Sequence, residues 1–277
     1  MKLRIATALI CLPLLFVLML KTTPGQFRVF VMLITALSLV EYFRLAFQTW
    51  GKRCFGIALG LLVAVTTLSG NPDIRWLDTI LGIPPVDFLR LGIAALVIGA
   101  IGFFLLRLVT VETSARDAAM MVLGALYSGF LPSHFSLIRE LDRGMPSWLL
   151  FVLVPVFIAD SAAFFVGSRW GKSPLLAAVS PRKSMEGALA SLVAGLVAGT
   201  SLGAVLFPSE GIGRIVLLSL ATNLLAQIGD LAESLFKRSF RAKDSGSLFP
   251  GHGGILDRTD SLLFPGAFVY YYCIFRR

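Results

Sequence analysis

Residues 147–168 read SWLLFVLVPVFIADSAAFFVGS and decide the fold class of this chain. The stretch is long enough to cross the hydrocarbon core of a bilayer as a helix, which takes roughly 17–25 residues. Its one charged residue, Asp160, lies inside the apolar run. A charge at membrane depth is costly, so it marks a candidate functional site as well as a membrane span.

The whole chain shares this apolar character. Its mean hydropathy is +0.82, and charged residues make up only 15% of its 277 residues, too few to cover a soluble protein of this length. Hydropathy therefore predicts an all-α, polytopic integral membrane protein with about nine transmembrane helices. The predicted spans are 5–20, 27–47, 54–69, 89–108, 117–138, 147–168, 187–208, 212–236 and 259–275.

The chain divides by chemical content rather than at a linker. We predict a single membrane domain over 1–277, with a hydrophobic multi-span half at 1–145 and a catalytic half at 146–277 that carries the unusual polar segments. The apolar N-terminus is expected to be an uncleaved first helix, because no small-x-small cleavage site follows Leu20. Three scattered cysteines offer neither a disulfide framework nor a metal-binding spacing.

The net charge of +9 is explained by the positive-inside rule rather than by nucleic-acid binding. With nine helices and the N-terminus inside, most Lys and Arg residues fall on the cytoplasmic side. The same arrangement places the loops after the sixth and eighth spans in the cytoplasm. An error of one helix would reverse the second half of the chain.

The second of these loops holds the densest polar cluster. Gly251–Asp260 contains two Asp, one Arg, one of only two His residues and three Gly. Glycines let backbone amides approach a ligand, and clustered carboxylates hold hard cations. The loop predicts a phosphate-and-metal site at a membrane surface, although Asp260 or Thr259 would also serve as a helix cap and His252 as an interfacial or solvated residue.

The preceding span carries a polar stripe. Its residues recur at spacings of three and four, which places them on one helical face: Asn223, Gln227, Asp230, Ser234 and Lys237, with Glu233 beside them. Helix–helix hydrogen bonding would need only the Asn and the Gln, so the acids and the Lys favour a site lining.

If the loop folds back, Asp257 meets Asp230, and the pair would bind magnesium with phosphate oxygens completing its shell. Basic residues would neutralise the phosphates: Lys237, Arg238, Lys243 and Arg258.

A second polar loop, Ser180–Gly187, reads SPRKSMEG. Its cations Arg182 and Lys183, with Ser184 and Glu186, suit polyphosphate contact, although a positive-inside loop alone would account for the cations. The nearby glycines fail the P-loop spacing and follow an apolar helix rather than a strand. Asp160 is expected to face the same cavity as this loop, where the polyphosphate would bind. Too few His and Cys residues make zinc chemistry improbable, and no nucleophile elbow of a Ser-His-Asp hydrolase is visible.

One further intramembrane acid, Glu41, lies close to the cytoplasmic end of the second span. Arg44 follows three residues later, so the spacing predicts a structural ion pair near the interface.

The run Ser234-Leu-Phe-Lys-Arg-x4-Lys243-Asp-x-Gly-x2-Phe-Pro-Gly-His-Gly-Gly-Ile-Leu-Asp-Arg-Thr-Asp260 resembles the signature of the phosphatidate cytidylyltransferases, or CDP-diglyceride synthetases. Ser180-Pro-Arg-Lys-Ser-x-Glu-Gly187 resembles the second motif of that family, and the segment around Asp160 resembles the third. The similarity is clearest over residues 155–261.

The resemblance implies the reaction CTP + phosphatidate → CDP-diacylglycerol + pyrophosphate, in the inner membrane of a bacterial-type cell with the active site facing the cytoplasm. It implies magnesium, a second, monovalent cation being left open, and a homodimer. The residues it implies are as follows: catalytic, Asp230, Asp257, Lys237 and Arg258; substrate-binding, Lys183, Ser184, Glu186, Arg238, Lys243, Asp244, His252, Gly253 and Gly254; metal-binding, Asp230, Asp257 and Asp260.

Other functions remain open at this point. A paralogue would use CTP on another lipid, as a CDP-lipid synthase or as a lipid-alcohol kinase. A cation-coupled transporter would spread its acids through the bilayer depth and show a repeated half, whereas these acids gather towards one end and no repeat is seen.

Overall fold

The structure, a computed structural model, describes residues 13–68, 114–142, 144–248 and 253–276. A short helical segment at 13–21 begins the described part. The other elements are α1 (Pro24–Ala46), α2 (Trp50–Leu68), α3 (Ala115–Gly124), a π-helical turn (Ala125–Phe130), α4 (Leu131–Leu141), α5 (Ser147–Trp170), β1 (Pro174–Leu176), β2 (Ser180–Ser184), α6 (Met185–Leu206), α7 (Ile212–Ser239) and α8 (Leu256–Phe275).

Six helices within the described ranges are long and apolar enough to cross a membrane: Pro24–Ala46, Trp50–Leu68, Ala115–Leu141, Ser147–Trp170, Met185–Leu206 and Ile212–Ser239. The chain is an all-α integral membrane protein, but the predicted count of about nine spans is not supported. The predicted span 89–108 and the first half of the predicted span 5–20 lie outside the described residues. The predicted ninth span, α8, is not among the six; its first turns carry Asp257, Arg258 and Asp260.

The chain divides into two compact units, Met1–Leu137 with Ser245–Leu256 and Ile138–Asp244 with Asp257–Arg277. In the first unit, α1 packs against α2 and the π-helical turn. The Tyr42 hydroxyl donates to the Met120 carbonyl oxygen at 3.2 Å, and Lys52 pairs with Asp117 at 2.6 Å. The proposed halves at 1–145 and 146–277 stay a prediction.

The second unit is built around α6, which packs against α5 and α7 along a seam of small residues. The seam residues recur every fourth position and are buried: Gly187, Ser191, Gly195, Gly199 and Gly203. A Cβ on Gly199 would lie 2.7 Å from Ser219 Oγ, so the α7 backbone comes closer than a larger residue would permit. The spacing of four was legible in the sequence but was not used in the prediction.

The contacts along this seam show that α6 runs antiparallel to both α5 and α7. Towards one end, Gly203 faces Phe151 and Ile215, while towards the other Gln227 Nε2 donates to the Ala188 carbonyl oxygen at 3.1 Å. The end of α5, the start of α6 and the end of α7 therefore share one end of the second unit. The β1–β2 hairpin is antiparallel and joins α5 to α6 at this end.

Candidate active site

The polar stripe of α7 separates into two parts. Asn223 Nδ2 donates to the Ser219 carbonyl oxygen within its own helix at 2.9 Å, and Gln227 reaches the backbone of α6. Only Gln227 makes the hydrogen bond between helices that the helix–helix alternative expected of both amides, because the Asn223 bond stays within α7. The acids and the Lys further along the stripe have ionisable side chains as partners instead.

The first charged group, here termed the Asp230 cluster, consists of Asp160, Lys183, Asp230 and Asp260. Lys183 extends from β2, and its Nζ lies 2.6 Å from Asp230 Oδ2. The carboxyl groups of Asp230 and Asp260 are close enough to interact directly. Asp160 lies within electrostatic range of Asp230 and Lys183. Side chains from α5, β2, α7 and α8 thus meet at the hairpin end of the second unit.

The close approach of α7 and α8 brings Asp260 into this cluster. A Cβ at Gly229 would lie 2.5 Å from the Asp260 carbonyl oxygen, so the absence of a side chain there permits the contact. Asp260 is buried, and its Oδ1 accepts from the Ser261 amide at 2.8 Å. Since α8 begins at Leu256, Asp260 does not cap its first turn.

Ser261 orients the remaining acid. Its hydroxyl donates to Asp160 Oδ2 at 3.1 Å and so joins α8 to α5. Sequence reasoning missed this residue; the only signal was its position directly after Asp260.

The second charged group, the Lys237 cluster, consists of Glu233, Lys237 and Asp257. Lys237 Nζ lies 2.5 Å from Asp257 Oδ1 and also pairs with Glu233, one turn earlier on α7. All three side chains are largely buried. Glu233 also interacts electrostatically with Asp260, which links the two clusters.

The sequence predicted that Asp257 would meet Asp230, but the structure gives Asp257 a different partner. Asp260 is the α8 aspartate that interacts directly with Asp230, while Asp257 forms a salt bridge with Lys237. Within the described ranges, no group of three or more His, Cys, Asp or Glu side chains is arranged to hold a metal ion. A lysine ammonium group forms a salt bridge with the aspartate in each case, Lys183 with Asp230 and Lys237 with Asp257.

The hairpin residues predicted to contact nucleotide have structural partners. Ser184 caps α6, because its Oγ accepts from the Gly187 amide at 3.1 Å. The Glu186 carboxylate accepts from the Lys172 amide at 3.1 Å and from the Ser173 amide. Of this loop, only Lys183 reaches the Asp230 cluster.

The remaining predicted residues surround the clusters or lie apart from them. Arg238 Nε donates to the Val179 carbonyl oxygen at 3.3 Å, and exposed Arg258 lies within electrostatic range of Asp160. Lys243 and Asp244 are exposed. His252 lies outside the described residues.

Two glycines predicted to bind the substrate, Gly253 and Gly254, belong to the first unit. Gly253 adopts a positive φ of 80°, a conformation that favours glycine. Gly254 is buried against the carboxylate of Glu41. The predicted pairing of Glu41 with Arg44 is therefore replaced by contacts to the segment Ser245–Leu256, too distant in the chain to be read from the sequence.

Comparison with known proteins adds a family-level finding. The chain matches the model of a family described as "Cytidylyltransferase family" over residues 2–275. It is 37% identical to a phosphatidate cytidylyltransferase of Bacillus subtilis (strain 168) over 155 residues, 56% of this chain and 58% of that protein. A phosphatidate cytidylyltransferase of Brucella suis biovar 1 is 41% identical over 147 residues, 53% of this chain and 54% of the relative. One of Haemophilus influenzae is 42% identical over 131 residues, 46% of each chain. The chain spans about half the length of these relatives.

Proposed function

Because the chain belongs to the cytidylyltransferase family, as its signature predicted, we propose that it transfers the cytidylyl group of CTP to phosphatidate. A phosphate oxygen of phosphatidate attacks the α-phosphorus of CTP. A new P–O bond forms, the bond between the α-phosphorus and the bridging oxygen breaks, and pyrophosphate leaves. A phosphomonoester is already anionic near neutral pH, so the step requires no strong general base.

The observation that carries this proposal is the Asp230 cluster. Carboxyl groups from α5, α7 and α8 gather at the hairpin end of the second unit, where the Lys183 ammonium pairs with Asp230. Charged groups inside a membrane protein are retained where they serve ligands, because each is costly to bury. Polyphosphate transfer needs such a mixture of anionic and cationic groups, since it depends mainly on positioning and charge neutralisation.

The donor set fits magnesium. Asp230 and Asp260 supply only hard oxygen ligands, and the Lys183 ammonium beside Asp230 supports the proposal of a cation at this place. With only these two carboxylates, phosphate oxygens and water would complete the coordination. Asp257 is assigned to the metal by the family resemblance. When bound, magnesium would neutralise charge on the triphosphate and the leaving pyrophosphate.

The chain's own cations take complementary roles. Lys183 and Lys237 hold the carboxylates in place and are available to phosphate oxygens once a metal ion balances the acids. Arg258 is exposed and within electrostatic range of Asp160, Arg238 lies in the last turn of α7, and Lys243 follows that helix. These three side chains bind the outer phosphates. We assign His252, Gly253 and Gly254 to the nucleotide pocket, and Ser184, Glu186 and Asp244 to its border, on the resemblance alone.

The location follows from the charge of the loops. The hairpin end of the second unit is flanked by Lys172, Arg182, Lys237, Arg238 and Arg241. The positive-inside rule therefore orients this end to the cytoplasm, where CTP is found, in a bacterial-type inner membrane. The acyl chains of phosphatidate would remain in the bilayer. A homodimer is expected on the family resemblance.

The test is CTP-dependent conversion of phosphatidate by the purified protein in detergent, with and without magnesium. CDP-diacylglycerol and pyrophosphate are followed together. We expect magnesium-dependent formation of both, and a loss of about 100-fold or more in the Asp257→Asn variant. Asp117→Asn, which alters an ion pair in the first unit, is the matched control and should retain activity.

One outcome would overturn the proposed reaction, and a second would overturn the role of Asp257 in it. Release of CDP with a phosphorylated lipid would identify a lipid-alcohol kinase instead. An Asp257→Asn protein with normal turnover would remove Asp257 from the reaction.

A further inference from the structure

Glu41 lies in α1, far in sequence from residues 245–256, the part of the family motif here termed the signature loop. Its carboxylate nevertheless accepts hydrogen bonds from both ends of that loop. Ser245 Oγ donates to Glu41 Oε2 at 2.8 Å. The amides of Ile255 and Leu256 donate to Oε1 at 2.9 Å and to Oε2 at 3.0 Å. All four residues belong to the first unit.

Two glycines of the segment fit closely around the same carboxylate. A Cβ on Gly246 would lie 2.6 Å from Glu41 Oε1, and one on Gly254 would clash with Glu41 Oε2. Ser245, Gly254, Ile255 and Leu256 are buried. These glycines therefore leave room for the carboxylate between the two ends of the loop.

The chemistry of Glu41 suits this position. An ionised carboxylate is an acceptor with two oxygens, and hydrogen bonds to a charged group are stronger than neutral ones. Leu256 is the first residue of α8, so two of the bonds satisfy amides at a helix N-terminus, where a negative charge is favourable. A membrane-embedded acid that merely paired with Arg44 would not meet three donors from one distant segment.

We propose that Glu41 is a positioning residue that clasps the two ends of the signature loop. It thereby fixes the backbone directly before Asp257. Leu256 is joined to Asp257 by a peptide bond, and Arg258 follows, so a shift of the clasped amides is passed along the chain to both residues. As a contribution to catalysis, this inference rests on the proposed cytidylyl transfer; the clasp itself does not.

The first arm of the test measures the clasp without activity. Backbone hydrogen exchange of peptides covering residues 253–258 is compared in wild type, Glu41→Ala and Asp117→Asn. We expect faster exchange in Glu41→Ala only, because the Ile255 and Leu256 amides lose their acceptor. Unchanged exchange in Glu41→Ala would overturn the clasp, whether or not the protein has the proposed activity.

The second arm measures turnover. Glu41→Ala should lower kcat/KM for CTP by about 10- to 100-fold, since small misplacements of catalytic groups are costly. Glu41→Gln, which keeps one carbonyl oxygen, should fall between Glu41→Ala and wild type. Gly246→Ala, which crowds the carboxylate without removing its charge, should reproduce the loss in a folded protein.

The two arms separate the possible failures. Faster exchange with unchanged CTP kinetics in an active enzyme would overturn the positioning role. A wild-type protein that forms no CDP-lipid would refute the proposed function, while the exchange arm still decides on the clasp.

Discussion

The two halves of α7 carry polar residues on the same stripe but use them differently. In the first half, Ser219, Thr222 and Asn223 donate to carbonyl oxygens one turn earlier in the same helix. In the second half, Asp230 and Lys237 pair with charged side chains from β2 and α8.

The difference shows what a polar residue in a membrane helix signifies. A side chain bonded to the backbone of its own helix completes local structure and supports close packing. A charged side chain paired with a charge from another element costs more to bury, and its partner can be exchanged for a ligand. The identity of the partner, rather than polarity itself, separates packing from candidate chemistry.

The sharpest test of this contrast compares Asp230→Asn with Asn223→Ala. We expect Asp230→Asn to lower cytidylyl transfer by about 100-fold or more, because it removes a charge from the Asp230 cluster. Asn223→Ala should retain activity and cost about 0.6 kcal/mol of stability, the average for hydrogen bonds within membrane bundles. Turnover and thermal unfolding in detergent measure both. Equal losses of activity in the two variants would break the distinction between the halves.

Removing the shared cation of the Lys237 cluster should have a large effect on stability. Glu233 and Asp257 are largely buried, so Lys237→Met is expected to destabilise the protein by about 3–5 kcal/mol. Adding Glu233→Gln to Lys237→Met should recover part of the lost thermal stability but not activity. Recovery of activity in the double variant would show that this pair serves structure alone.

The packing half of α7 can be tested through its neighbour α6. Gly199→Leu would drive a side chain against Ser219, and overpacking of this kind costs about 1–3 kcal/mol. Val197→Leu is the matched control, because Val197 lies on the exposed face of the same helix. Thermal unfolding of the two variants in detergent gives the comparison. Equal unfolding temperatures would contradict the close α6–α7 seam.

Asp142, a carboxylate that accepts hydrogen bonds from a backbone amide, is expected to show a smaller effect on stability. It accepts from the Trp148 amide at the start of α5, and burial raises its pKa from the ordinary value of 3.8 to about 6. The folded state therefore binds this proton more tightly than the unfolded chain, and the resulting stabilisation is lost as pH rises through about 6. Asp142→Asn should flatten the decline in unfolding temperature between about pH 4 and 6. An unchanged pH dependence would assign that decline to other groups.

The family motif shows what the sequence could predict about this site and what it could not. The motif from Ser234 to Asp260 was sufficient to predict the family, and the spacing of Asp230 and Lys237 placed them on one face of α7. Which acid of α8 would interact with Asp230 was not legible, because Asp257 and Asp260 are one turn apart and the choice depends on how α8 is rotated and shifted against α7. The close contact at Gly229 accompanies the approach of Asp260.

The sequence by itself determined that this is a helical membrane protein and where most of its described spans lie. Transfer of a segment into a bilayer depends on the length and apolarity of that contiguous stretch, which are local properties of the chain. Only the tertiary structure decided that Lys183 pairs with Asp230, that Ser261 holds Asp160 and that Glu41 accepts from Ser245, 204 residues away. Such contacts depend on the register and rotation of packed helices, which no single segment encodes.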